Sequence, residues 1–195
     1  MRHSECMQLL ADCMGEDVLT VTNLTSNARM WSALRGERPS FYGLQMGLCL
    51  PFAVGLSLAF PQRKVVAIDG DGSLIMETSS LITAAEVAPP NLVAVVFDNG
   101  SYSRMGETAT ARGTDLEKMA QGAGMRRTAT LRTLDEFGSA VQEALEGSEL
   151  TFLVAKVELE QQIPFVGDYI ARSERGMKEA FVEALRRLPD YRGRD

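Results

Sequence analysis

Two runs without a polar residue, VVAI at 65–68 and LVAVVF at 92–97, narrow the possible folds more than anything else in this chain. Strands with one wet face alternate apolar and polar residues, whereas strands buried on both faces do not. Such strands belong to parallel sheets covered by helices on both sides. Further strand-like segments at 18–22, about 126–131 and 151–157 alternate with helix-like ones at about 46–59, 77–87, 115–122, 134–145 and 173–188. Thr133 with Glu136 forms a capping box, Thr114-Asp115 is another helix start, and Gly122, Gly124 and Gly147 are stops. The pattern predicts an α/β fold, a doubly wound and mostly parallel sheet with helices on both faces. With 195 residues, 45% of them hydrophobic, the chain can fill one such core. We expect a single domain over 1–195, with the charged tail at 189–195 fraying.

Composition excludes several function classes. A net charge of −6 leaves no basic excess for nucleic acid. Three cysteines, Cys6, Cys13 and Cys49, show no C-x-x-C spacing, which argues against a disulfide framework or metal cluster and fits a reducing cytoplasm. Residues 1–20 carry Glu5, Asp12, Glu16 and Asp17, unlike a secretory signal. The uncharged stretch from Leu44 to Phe60 contains Gly47, Pro51 and Gly55 and reads as a buried helix rather than a membrane span. The single histidine, His3, stands near the start and is expected to be mobile. Catalytic triads, Cys-His pairs and H-E-x-x-H zinc sites are thereby nearly excluded.

In open parallel sheets, ligands bind beyond the carboxyl ends of the strands. Two junctions there are chemically loaded: Asp69-Gly70-Asp71-Gly72-Ser73 after the first run, and Asp98-Asn99-Gly100-Ser101-Tyr102 after the second. Glycines allow close backbone approach, and Ser73 with the free amides of a helix start can cradle a phosphate. Asp71 would repel that anion unless a cation bridged them, as Mg²⁺ does with one carboxylate and phosphate oxygens. A D-G-D-G run alone is often only a turn. Other motifs fail: Ile75 occupies the third glycine position of G-x-G-x-x-G, and no Walker lysine, EF-hand spacing or G-x-S-x-G elbow occurs.

Gly70-Asp71-Gly72, followed about 25 residues later by Asp98-Asn99, closely resembles the signature of thiamine diphosphate enzymes. Upstream, Leu44-Gln45-Met46-Gly47 and then Pro51 occupy the places of a further motif of the thiamine-dependent decarboxylases. Downstream, the stretch from Thr108 to Gly124 is also similar. The likeness covers roughly residues 18–160, and is nearest to the small-subunit sulfopyruvate decarboxylases and their phosphonopyruvate decarboxylase relatives.

The resemblance implies roles residue by residue. Asp71 and Asn99 would bind Mg²⁺ through their side chains, and Ser101 through its carbonyl. Gly70, Gly72 and Ser73 would contact the diphosphate, with Gly47 and Tyr102 counted among the cofactor-binding residues. Met46 would wedge the cofactor into its bent form, and the Leu44 carbonyl would accept a hydrogen bond from the aminopyrimidine. As plain core filler, Met46 would need no cofactor at all. Leu44-Gln45 replaces a common Gly-Ser pair, and Asp98 stands where many members have asparagine.

The superfamily also needs a glutamate from a pyrimidine-binding domain, and the stretch before Phe41 is too short to form one. The resemblance therefore implies one cytoplasmic subunit of a split enzyme, with no catalytic residue of its own. A partner subunit supplies the glutamate in a hetero-oligomer of the α2β2 type or larger. The reaction implied is decarboxylation of a small anionic 2-oxo acid, sulfopyruvate first. Phosphonopyruvate decarboxylation and acetolactate-type carboligation are the alternatives, and a non-catalytic cofactor-binding regulatory subunit is the reading from another class. Arg29, Arg35, Arg38 and Arg104 are candidates to meet a sulfonate or phosphonate, with solvated surface charge as the plainer role for each.

Overall fold

The computed structural model describes residues 1–103, 105–167, 174–189 and 191. Six strands form one parallel sheet: β1 (Leu19–Asn23), β2 (Ser40–Leu44), β3 (Val65–Gly70), β4 (Leu92–Asp98), β5 (Arg127–Leu131) and β6 (Thr151–Lys156). Their order is β2-β1-β3-β4-β6-β5, and every pairing is parallel. The two apolar runs are the adjacent central strands, with Ile68 opposite Val95 and Gly70 opposite Phe97.

Alternation along these strands sends side chains into two cores, because successive residues face opposite sides of a sheet. Val65, Ala67, Leu92, Ala94, Val96, Phe152 and Val154 face one helical layer. That layer contains α3 (Cys49–Ala59), α5 (Ser79–Val87), α6 (Leu116–Gly122) and α8 (Glu174–Arg186). Val66, Ile68, Val93, Val95, Phe97, Leu153 and Ala155 face the other, formed by α1 (His3–Asp12), α2 (Ser26–Arg35) and α7 (Leu134–Glu146). Both faces of β3 and β4 are covered, which is why neither strand carries a polar residue before its last positions.

α7 starts on the expected capping box, with Thr133 accepting from the Glu136 N–H and the Glu136 carboxylate accepting in return. Other boundaries shift. The helix expected from 46 begins at Cys49, since residues 45–48 turn around Gly47 at φ +85°. The helix expected over 77–87 is α5, which begins at Ser79 after a separate single turn, α4 (Asp71–Ile75). Three elements, α1, α2 and β2, stand where no strand or helix was expected. Of the tail at 189–195, Asp190 and 192–195 lie outside the described residues, while Tyr191 packs against the first core.

His3 is not mobile. Ser4 at the start of α1 donates through N–H and hydroxyl to Glu160, and Arg2 joins the same carboxylate. That tie seats the His3 ring on Phe97, with centroids 4.4 Å apart. Among the described residues, no helix is long and apolar enough to cross a membrane.

Candidate functional site

From β1 the chain leaves through α2 onto one face, and from β3 through α4 and α5 onto the other. The crevice between these two strand ends is the topological switch point, where open α/β sheets bind ligands. Gly70 marks the closeness of the two ends: a Cβ there would stand 3.3 Å from Asn23 Nδ2.

Around this crevice the structure gathers the three loops that carry the motifs. Gly47 donates its N–H to Ser73 Oγ at 3.1 Å, binding the 44–47 loop to the D-G-D-G-S loop. A Cβ on Gly47 would meet Glu77 Cβ at 2.9 Å, so only glycine fits there. The third loop lies across Gly72, where a Cβ would meet the Tyr102 ring at 2.6 Å. Gly47, Gly72, Ser73 and Tyr102 thus lie where the three loops touch, with Leu44 at the end of β2 and Gly70 at the end of β3 leading into them. Because α4 is one turn long, it offers backbone N–H groups but little helix dipole.

Asp71, directly after β3, and Asp98, the last residue of β4, are both buried. Two threonines join them. Thr108 Oγ1 lies 2.5 Å and Thr110 Oγ1 3.0 Å from the same oxygen, Asp71 Oδ2. Thr110 also reaches Asp98 Oδ1 at 2.8 Å, and Lys156 at the end of β6 forms an ion pair with Asp98 Oδ2. Asn99 Oδ1 accepts the Ser101 N–H at 2.9 Å, which folds the loop so that Asn99, Gly100 and Ser101 follow one another around a tight bend. Burial, with Asp98 adding repulsion, pushes the Asp71 carboxyl up from its usual range, against the pull of the threonine hydroxyls. Asp69 is pushed up to about 6 by burial, even though the Gly70 N–H reaches its carboxylate.

A cavity of about 700 Å³ opens beside Asn99 and Ser103, walled by His3, Thr25, Ser26 and Arg29 on one side and the 159–163 segment on the other. Of the candidate arginines, only Arg29 lines it. Arg35 is buried and donates to the carbonyls of Gly15 and Val18, and Arg38 pairs with Glu16, so neither faces the site. Arg104 lies outside the described residues.

Residues 24–155 match the family model for the C-terminal TPP binding domain of thiamine pyrophosphate enzymes. The chain belongs to this family. It is similar to the sulfopyruvate decarboxylase subunit beta of Methanocaldococcus jannaschii, at 32% identity over 78% of this chain and 81% of that one. A sulfopyruvate decarboxylase of Methanosarcina acetivorans is 35% identical over 71% of this chain, but the match spans only 36% of that longer protein. Benzoylformate decarboxylase from Polynucleobacter necessarius shares the fold, with a TM-score of 0.68 at 22% identity, over 83% of this chain and 34% of that one.

The donor set of this TPP binding domain suits the group its family name implies. Asp71, the Asn99 amide and a loop carbonyl are hard oxygen ligands of the kind Mg²⁺ takes. Among the described residues, no three His, Cys, Asp or Glu side chains cluster to hold a metal. The raised Asp71 carboxyl marks negative charge that a cation would relieve.

Sequence reasoning missed the β1 side of the TPP binding domain's crevice: Asn23 and Asn27, joined at 2.8 Å, and Thr25 and Ser26 at the start of α2. Thr25 holds φ +68°, a costly conformation for a β-branched residue. The signal available was position alone, the first polar residues after a strand end beside the D-G-D-G strand.

Proposed function

We propose that this chain is the metal- and diphosphate-binding subunit of a split thiamine diphosphate- and Mg²⁺-dependent decarboxylase acting on a small anionic 2-oxo acid, sulfopyruvate first. The observation that carries this reading is the junction of the two strand-end loops, in which Asp71 and Asp98 share Thr110 while Asn99 and Ser101 turn beside them. The chain's similarity to a subunit named sulfopyruvate decarboxylase beta supports the substrate class.

In this reading Asp71, Asn99 and the Ser101 carbonyl hold Mg²⁺, and Gly70, Gly72 and Ser73 hold the diphosphate. Met46 and the Leu44 carbonyl, on the segment that Gly47 ties to Ser73, set the cofactor's bend and the orientation of its pyrimidine. When bound, thiamine diphosphate supplies the electron sink that a 2-oxo acid needs to lose CO2. No side chain of this chain has to act as a nucleophile or shuttle a proton, which is consistent with its one histidine being walled into the core. A pyrimidine-domain partner contributes the activating glutamate, in an α2β2 or larger assembly.

Co-expression with a pyrimidine-domain partner tests the reading. The purified complex, given sulfopyruvate or phosphonopyruvate with Mg²⁺ and thiamine diphosphate, is expected to release CO2 from sulfopyruvate faster. The isolated chain is expected to release none. A complex that binds the cofactor yet decarboxylates neither substrate would favour the regulatory reading instead.

A further inference from the structure

The network under the metal site contains fewer hydrogens than contacts. Four short contacts join Asp71, Thr108, Thr110 and Asp98: Thr108 to Asp71 at 2.5 Å, Thr110 to Asp71 at 3.0 Å, Thr108 to Thr110 at 2.8 Å and Thr110 to Asp98 at 2.8 Å. Each threonine hydroxyl has one hydrogen, so two of the four can be filled at a time. Thr108, fully buried and closest to Asp71, donates there. The hydrogen of Thr110 is therefore the one left for its three neighbours to share: Thr108 Oγ1, Asp71 at the start of α4 and Asp98 at the end of β4.

Asp98 is the anchor of the loop that bears the other two proposed ligands. Its Oδ1 accepts the Gly100 N–H at 3.2 Å, and Lys156 fixes its Oδ2. The same segment that carries Thr110 supports this loop from the other side. Thr108 N–H donates to the Gly100 carbonyl at 3.0 Å, and Ala111 packs where a Gly100 side chain would go. The metal site is thus built from two halves, a strand-end carboxylate and a loop, and Thr110 is the side chain whose one hydroxyl touches both.

The geometry points to Thr110 as a positioning residue that couples the carboxylate half of the metal site to the Asn99–Ser101 half, through one hydrogen shared between Asp71 and Asp98. The inference rests on the metal-site reading above and extends it. With a cation on Asp71, that carboxylate would hold the hydrogen less firmly, and Thr110 would donate instead to Asp98 at the foot of the loop. Thr110→Val removes the hydrogen while keeping the shape, and leaves the two carboxylates facing one another without a donor between them.

The test uses the purified full chain with Mn²⁺ and inorganic pyrophosphate as probes, reading free Mn²⁺ by electron paramagnetic resonance, with thermal unfolding measured in parallel. Thr110→Val is expected to weaken Mn²⁺ binding about tenfold, the size of one hydrogen bond to a carboxylate. Thr110→Ser is expected to bind within about twofold of wild type, since it keeps the hydroxyl. Thr110→Ala serves as the removal variant if the valine chain does not fold. Unchanged Mn²⁺ affinity in the removal variant, whatever its melting temperature, overturns the coupling role, and so does a serine variant as weak as valine. A wild-type chain that binds no Mn²⁺ overturns the metal-site reading itself, and the coupling role with it.

Discussion

Acid is predicted to loosen this fold through His3. The ring is 5% exposed, tilted against Phe97 with centroids 4.4 Å apart, and neutral at ordinary pH. Burial lowers its pKa from 6.5 to about 4, against smaller opposing pulls from Glu160 and Asn27. A base whose folded pKa lies below its unfolded value favours folding only while neutral. Its contribution is complete above pH 6.5 and is lost as the pH falls toward 4. At about 1.36 kcal/mol per pH unit the whole effect is roughly 3 kcal/mol, of which about 2 kcal/mol disappears between pH 7 and pH 5. Asp69 works against this. Its carboxyl, raised to about 6, binds a proton more readily in the folded state, so folding gains as the pH drops through that value. A wild-type pH curve mixes the two. His3→Phe separates them, because it keeps a ring on Phe97 that cannot charge, and the contribution of Asp69 cancels in the difference. Urea unfolding followed by the fluorescence of Trp31, fully buried on α2, supplies the stabilities. The stability of wild type relative to His3→Phe is expected to fall by about 2 kcal/mol from pH 7 to pH 5. A difference constant to within about 0.5 kcal/mol would refute the burial argument.

Three substitutions probe the site more directly. Asp71→Ala removes the one carboxylate among the proposed ligands, and calorimetric titration of the reconstituted complex is expected to show no Mg²⁺-dependent cofactor binding. Lys156→Met strands Asp98, whose side chain is 2% exposed; since Lys156 is itself 30% exposed, the cost is expected to be about 2 kcal/mol, read as a lower urea midpoint. Gly47→Ala forces a side chain into φ +85° and onto Glu77 Cβ, and is expected to cost about 2 to 3 kcal/mol and to weaken cofactor binding in the complex through displacement of the 44–47 loop.

How legible the molecule was depended on how much of each signal is local. β3 and β4 were plain because burial on both faces leaves an unbroken apolar run, and α7 because its capping box is written in four adjacent residues. β2 escaped notice. It is an edge strand whose residues alternate between buried and half-buried, and it runs directly into the turn at 45–48. α2 escaped because its buried polar residues depend on distant partners. Trp31 donates to Thr20 on β1, and Arg35 reaches the carbonyls of Gly15 and Val18. The same division holds at the site. Glycine spacing and strand ends located Asp71 and Asn99, whereas Thr108, Thr110 and Lys156 belong to the site only through contacts that close when β4, β6 and the 108–112 segment meet.

The charge balance of that meeting place bears on why the site is built from strand tips at all. Asp69, Asp71 and Asp98 are each no more than 4% exposed, and among the described residues one lysine answers them. Buried carboxylates cost stability unless hydrogen bonds or counter-charges offset them. Asp98 has Lys156, Thr110 and the Gly100 N–H. Asp69 has the Gly70 N–H, and its raised pKa lets it carry a proton near pH 6. Asp71 has two hydroxyls and the Gly72 N–H, among the described residues no cation, and Asp98 as a repelling neighbour. A chain selected for stability alone would do better with an amide at 71 than with this carboxylate. Asp71→Asn is therefore expected to stabilise the metal-free chain, by up to about 1 kcal/mol in urea unfolding at pH 7 without divalent ions, while weakening Mn²⁺ binding. If the asparagine chain is less stable than wild type in the absence of metal, Asp71 is holding the fold rather than awaiting a cation, and the metal assignment loses its energetic support.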